Sequence, residues 1–357
     1  MPGRSVLTLS LAAATAAAVL VGAPASAPAQ EMHPLTAICA SLRYRAEVSP
    51  VEIGLVAIDL EDGTHCTIGG HTVFRSASLY KLIVMAEAFE QAEAGAFAFD
   101  EILTIEPDHF RDDPPQMRPE GSFTLAADEA VRRMVTFSEN SSTLVLIDRL
   151  GEAELQSAPG RLGLDGTVLD PAASFVTTAW DIATLLTALY RGEVVSNDAS
   201  AAMMELLRAQ ELNDLIPQSL PPGIEVAHKT GLITEYLNDA GVIYAPGGDF
   251  VLVLLTRWDE RIGQSYEAIH EFTALVYEAF AEPFERPPPP PPAATPAPSP
   301  TPAPAAAPVQ QTTPPSPPPP AQTGGPPEPT LAPLGSLVAA AAFVLFVTLL
   351  LRRRRGE

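Results

Sequence analysis

Ser78-Leu79-Tyr80-Lys81 places a hydroxyl and an amine three residues apart, close enough on a helix to share one face. A serine hydroxyl is a weak nucleophile at neutral pH, and a lysine can act as its base when burial or a second cation depresses the lysine pKa. A helix that begins at Ser78 adds unpaired amide groups suited to a developing oxyanion. Two further short patterns lie downstream, Ser138-Glu139-Asn140 and Lys229-Thr230-Gly231, the latter after His228. The chain holds 19 arginines but two lysines, and both lysines, Lys81 and Lys229, fall inside these patterns. Arginine serves where only charge or solubility matters, but it cannot release its proton and presents a fork where lysine presents a point charge. Lysine kept at these two positions points to chemistry, with Ser78 as nucleophile.

The elements that position these residues are legible from periodicity. A helix is expected over Leu35 to Tyr44, then strands over Val51 to Leu60 and His65 to Gly69 around the turn Glu61-Asp62-Gly63. Ser78 to Ala94 reads as a buried helix, apolar at Leu79, Leu82, Ile83, Val84, Met85 and Phe89. Further helices are expected at Leu125 to Phe137, Ser141 to Leu150, Ala179 to Tyr190 and Asn197 to Ala209. Strands return at Val226 to Leu232, Asn238 to Tyr244 and Phe250 to Thr256, and a last amphipathic helix runs from Ser265 to Phe280. Strands at both ends and helices between them predict an α+β fold. One antiparallel sheet is built from the N- and C-terminal segments and flanked by helices, with a mainly helical lobe inserted and the site at the junction.

In chain order and with these separations, the three patterns resemble the Ser-x-x-Lys, Ser-Asp-Asn and Lys-Thr-Gly set of class A serine β-lactamases and penicillin-binding proteins. The resemblance covers roughly residues 35 to 283, including the run Met134 to Asn140 and the helix start Thr177-Thr178-Ala179-Trp180. It implies Ser78 as acylated nucleophile, Lys81 as its proton acceptor and Ser138 as the relay that protonates the leaving nitrogen. It further implies that Asn140 holds the substrate amide, that Lys229 and Thr230 bind the substrate carboxylate, and that Gly231 lets the strand approach closely. The amide of Leu232 would join that of Ser78 as oxyanion hole. Arg257 and Arg261 are additional candidates for the carboxylate. The substrate implied is a β-lactam or a peptidoglycan stem peptide, with no cofactor.

Two departures from the family pattern matter. Glu139 stands where the pattern has Asp. The stretch Leu164 to Val176 is shorter than the corresponding loop of class A enzymes; it contains Asp165 and Asp170 but no glutamate and no asparagine. The glutamate accepted for deacylation is therefore missing. Three readings follow: a β-lactam hydrolase, a D-alanyl-D-alanine carboxypeptidase or penicillin-binding enzyme that deacylates slowly, and a stalked β-lactam sensor without catalysis.

Composition sets the surroundings. Residues 1–29 read as a secretion signal, with Arg4 before the apolar run Leu7 to Val21 and small-residue cleavage sites at Ala25-Ser26-Ala27 and Ala27-Pro28-Ala29. Residues 31–285 form the catalytic domain, and 286–330 a Pro-rich stalk favouring extended polyproline conformation. Residues 331–351 form a membrane helix, followed by a basic cytoplasmic tail at 352–357 whose four arginines keep that end inside. Within the stalk, Pro320-Ala321-Gln322-Thr323-Gly324 has the order of sortase-processed wall anchors without their Leu-Pro start. The expected location is the outer face of a cell membrane, held by one C-terminal helix, as a monomer. With 43 acidic and 21 basic side chains and a net charge of −22, the chain is no nucleic-acid binder. Cys39 and Cys66 suit either one disulfide or two buried thiols. The six histidines are scattered and form no metal-binding pattern.

Overall fold

The computed structural model describes residues 32–110, 121–170 and 174–286. The expected secretion signal, membrane helix and basic tail, and the expected stalk beyond Arg286, lie outside the described residues. Among the described residues, no helix is long and apolar enough to cross a membrane.

The described chain begins with helix Pro34–Glu47 (α1), strands Glu52–Asp59 (β1), His65–Ile68 (β2) and Val73–Arg75 (β3), and helix Lys81–Glu93 (α2). Strands Ile102–Ile105 (β4) and Phe123–Ala126 (β5) lead to helices Ala127–Thr136 (α3), Asn140–Leu150 (α4) and Glu152–Arg161 (α5). Strands Val168–Asp170 (β6) and Ser174–Thr178 (β7) precede helices Ala179–Tyr190 (α6) and Asn197–Arg208 (α7). Strands Glu225–Ile233 (β8), Tyr236–Tyr244 (β9) and Phe250–Arg257 (β10) and helix Ile262–Glu278 (α8) complete it.

Five strands form one antiparallel sheet in the order β2-β1-β10-β9-β8, so both chain ends contribute and β8 lies at an edge. The sequence-based expectation of fold class holds. β1 and β10 are apolar almost throughout because both sheet faces are covered. On one face, Leu35 and Leu42 of α1 and Ile269, Phe272 and Val276 of α8 pack with Leu55, Leu252 and Leu254. On the other, Leu82, Ile83 and Met85 of α2 and Ile182 and Leu186 of α6 pack with Val56, Val251 and Val253. Each such side chain contributes roughly 1.5–3 kcal/mol on burial. The second core continues from the sheet through α6 into the helical lobe, where α2 packs chiefly against α3, α4 and α5.

Three details differ from the sequence reading. Leu125 belongs to β5, and α3 starts only at Ala127. α5 was not expected: Pro159 and Gly160 near its end mask the helical signal, while Leu155 and Ala158 are buried and hold it in place. β3, β7 and β6 form a small sheet of their own, pairing through Val73↔Thr178 and Val168↔Val176.

Cys39 of α1 and Cys66 of β2 are joined in a disulfide. It fastens the first helix to an edge strand across a separation of 27 residues. By the chain-entropy relation, loss of this bridge should lower stability by about 3–4 kcal/mol. Denaturant unfolding with and without reductant measures it, and an unchanged midpoint contradicts it.

Candidate active site

Ser78 sits on a 3-10 turn, Ala77–Tyr80, that leads into α2, rather than on the first α-helical turn itself. Ala77 before it has φ 46°, a left-handed conformation that costs a residue with a Cβ about 1–2 kcal/mol. Neighbouring groups hold this strain. Ser76 donates to the Phe175 carbonyl through its amide at 3.0 Å and its hydroxyl at 3.2 Å. Asn238 on β9, fully buried, donates from Nδ2 to the carbonyls of Arg75 at 3.0 Å and Ser76 at 3.2 Å. Its Oδ1 accepts from the Thr256 amide at 3.2 Å, which ties the Ser78 turn to the central strands. β8 presses on the same turn: a methyl group at Gly231 would stand 3.1 Å from Ala77 Cβ, the Ser76 carbonyl oxygen and the Ser78 amide nitrogen. Glycine allows this approach without displacing those neighbours, and the approach brings Thr230 and Leu232 beside Ser78.

Lys81, the first residue of α2, and Lys229, on β8, are both fully buried. They meet at Ser138. Lys81 Nζ donates to the Ser138 carbonyl at 2.7 Å, Ser138 Oγ at 3.3 Å and Asn140 Oδ1 at 2.8 Å. Lys229 Nζ donates to the same Oγ at 3.0 Å and to the Thr230 carbonyl at 3.0 Å. With both lone pairs of Oγ taken by amines, the Ser138 proton is left to point away from them. Ser138 joins α3 to α4 with φ 57°, a second left-handed residue with a Cβ, and this turn aims its hydroxyl at the lysines. Burial pushes the Lys229 amine down to about 7, against the opposing pull of the Asp239 carboxylate. All eight residues singled out from the sequence thus converge: Lys81, Ser138, Asn140 and Lys229 through hydrogen bonds, and Ser78 with Thr230, Gly231 and Leu232 through the close approach of β8.

The two departures have local accounts. The longer Glu139 side chain folds back to accept from Ser142 Oγ, while its carbonyl accepts from Thr143 Oγ1 at 2.7 Å. Glu139 therefore stabilises the start of α4 and keeps Asn140 in place. The shortened loop is clamped by buried Asp181 of α6, which accepts from the Gly166 amide at 2.9 Å and from Thr167 Oγ1 at 2.6 Å. What it sets against the nucleophile's turn is Phe175, whose ring packs edge-on against Tyr80 at 4.6 Å. Of its two carboxylates, Asp165 is exposed, and Asp170 ends β6 opposite Ser174.

Arg257 pairs across the sheet with Glu52 at 2.8 Å, and Arg261 is exposed before α8. A surface groove of about 410 Å³ at the far end of β8 and β9 is lined by Tyr190, Arg208, Tyr244 and Asp249. Its Arg208 is engaged by Glu225, Glu205 and Tyr244, so the groove offers no free cation from that residue. His33, Asp59 and Asp62 are the one grouping among the described residues tight enough for a metal ion. The guanidinium of Arg286, 2.9 Å from Asp59 Oδ2, already supplies the positive charge there.

The model of the beta-lactamase enzyme family matches residues 38–280. The chain belongs to this family. A solved structure of PBP-A is similar at 29% identity and a TM-score of 0.65, covering 69% of this chain and 96% of that one. A mutant of PBP-A, solved as an acyl-enzyme complex with penicillin G, is similar at 28% identity and a TM-score of 0.64, covering 69% and 97%. The β-lactamase from Sphaerobacter thermophilus shares the fold at 24% identity, with a TM-score of 0.62 over 68% and 97% of the two chains. No significant match is found among curated proteins.

Within this family fold, sequence reasoning missed Asn238 and Phe175. An asparagine opening a predicted strand, where the type is disfavoured, was the available signal for the first. Phe175 gave none, because its contribution is a carbonyl and a packing face. Asn238→Ala leaves the Arg75 and Ser76 carbonyls and the Thr256 amide without this partner and should cost about 1–3 kcal/mol in denaturant unfolding. Gly231→Ala should displace β8 from the Ser78 amide and slow labelling of Ser78 by an acylating probe ~100-fold, read by mass spectrometry. Wild-type labelling in that variant would contradict the role of the close approach.

Proposed function

We propose that this chain is an exported penicillin-recognising serine enzyme that forms an acyl-enzyme at Ser78 with β-lactams or D-alanyl-D-alanine peptides and releases it slowly. The observation that carries this reading is the single hydroxyl of Ser138 held between two buried lysines beside Ser78. Ser78 Oγ attacks the substrate carbonyl and its proton passes to Lys81, which reacts from its neutral form and so gives up one of its three donated hydrogen bonds. The oxyanion lies between the amides of Ser78 and Leu232. The C–N bond breaks as the leaving nitrogen takes the Ser138 proton, which is replaced from the lysines. Lys229 and Thr230 hold the substrate carboxylate, and Asn140 its amide. Water then returns Ser78 and a carboxylic acid.

Slow release follows from the loop. Its shortened run supplies an aromatic side chain and a backbone acceptor to the nucleophile's turn, and its sequence has no glutamate. The acyl-enzyme of a PBP-A mutant with penicillin G supports the acylation half. The leader, stalk, apolar segment and arginines read from the sequence, together with the disulfide, support an outer-surface location. The second reading is a β-lactamase with efficient turnover, favoured by the family match itself.

Intact-mass spectrometry of the full-length chain after adding penicillin separates the readings. One adduct per chain that persists for many minutes, and is absent from Ser78→Ala, is expected. Adduct loss within seconds, with turnover of a chromogenic cephalosporin, would establish the second reading. Lys229 is charged below its pKa and neutral above it, so acylation by carboxylate-bearing penicillins should decline as pH rises through about 7. Lys229→Arg retains charge and should show no such decline, at a lower absolute rate.

A further inference from the structure

His228 precedes Lys229 on β8 and is buried. Its Nδ1 lies 2.9 Å from Asp239 Oδ1, and its Nε2 lies 3.0 Å from Asn213 Oδ1. The partners decide where the protons are. Asn213 Nδ2 donates to the Gln210 carbonyl at 3.0 Å, which fixes the amide so that its oxygen faces the imidazole. That oxygen only accepts, so Nε2 must donate. Asp239 accepts from the Ala240 amide at 2.9 Å on Oδ1 and from the Ile216 amide at 2.9 Å on Oδ2, as an ionised carboxylate does. It therefore calls for a donor at Nδ1 as well. A neutral imidazole has one N–H and cannot serve both partners.

The same contacts fasten the segment between α7 and β8. At its start, Gln210 Nε2 donates to the Val135 carbonyl at 2.9 Å, and the Glu211 amide donates to that of Thr136 at 3.0 Å, two residues before Ser138. At its end, Asn213 and Ile216 are held by His228 and Asp239 on β8 and β9. Tyr266 donates to Asp214 at 3.2 Å, and His270 meets the Asp214 carbonyl at 3.0 Å, both from α8. The charged and titratable groups around His228 are thus Asp239 on β9, Lys229 beside it on β8, Asp214 in the segment and, behind that, Tyr266 and His270 on α8.

We propose that His228 carries both ring protons and, paired with Asp239, is a positioning residue that fastens the Gln210–Ile216 segment to the strand bearing Lys229, Thr230 and Gly231. The segment links the serine turn of the helical lobe to the edge strand, so its hold sets the spacing between Ser138 and Lys229. The consequence for acylation rests on the proposed function. The protonation of the ring does not.

Acylation also depends on the ionisation of Lys229, so the primary readout is the ring itself. In full-length protein with ¹⁵N-labelled histidines, assigned with His228→Gln, both His228 nitrogens should resonate as N–H at neutral pH. One unprotonated nitrogen overturns the proposal. Asp239→Asn should remove one of the two N–H signals, and retention of both overturns the pairing. Penicillin acylation tests the fastening: His228→Gln keeps a donor for Asn213, whereas His228→Asn reaches only Asp239. The apparent dissociation constant should rise ~10-fold more in His228→Asn, with the acylation rate constant less affected. Equal losses in both variants overturn the fastening role. If wild-type protein is not acylated at all, the proposed function fails while the ring assignment still stands or falls on its spectrum.

Discussion

Two lysine amines, both removed from water, share one serine oxygen, and most of the described architecture serves to bring them there. Taking an ammonium group out of water is costly unless oxygen acceptors replace the solvent. Here the acceptors come from Ser138, Asn140 and Thr230, on the α3–α4 link, α4 and β8. Lys81 comes from a helix packed within the helical lobe, and Lys229 from the edge strand. The two apolar layers on either side of the sheet hold these segments together, which lets the polar cluster exist without water.

Strain is concentrated around this cluster. Ala77 and Ser138, the residues preceding and protonating the chemistry in the proposed mechanism, both adopt left-handed backbone conformations. Neither is stable alone. Asn238 and the Phe175 carbonyl pin the first, and the lysines and the start of α4 pin the second. Glycine at 231 then admits β8 to the nucleophile's turn. Strained backbone, a buried amide and a missing Cβ act as one device that fixes the Ser78 turn against β8.

The segments around the site show how a family fold can be altered locally. A clamp from Asp181 lets a short loop hold its shape and presents Phe175 to the nucleophile's turn. On the opposite wall, His228, Asp239 and Asn213 tie a connecting segment to β8. Glu139 is likewise held locally, its longer side chain folding back to accept from Ser142 at the start of α4.

The sequence by itself determined which residues meet at the site and the plan of the fold. Confining lysine to Lys81 and Lys229, each within a short pattern, marked two positions that the fold brings together at Ser138, and strands at both ends marked the sheet. Such signals are local: residue type, spacing and apolar period. Tertiary structure decided the rest. The disulfide between Cys39 and Cys66, the helix masked by Pro159 and Gly160, and the small sheet of β3, β6 and β7 depend on segments meeting across the chain. So do the grip of Asn238 on a carbonyl 162 positions away and the protons on His228. A backbone carbonyl or a buried amide has no signature in residue type, because what it does is set only by which neighbour the fold brings within hydrogen-bond distance.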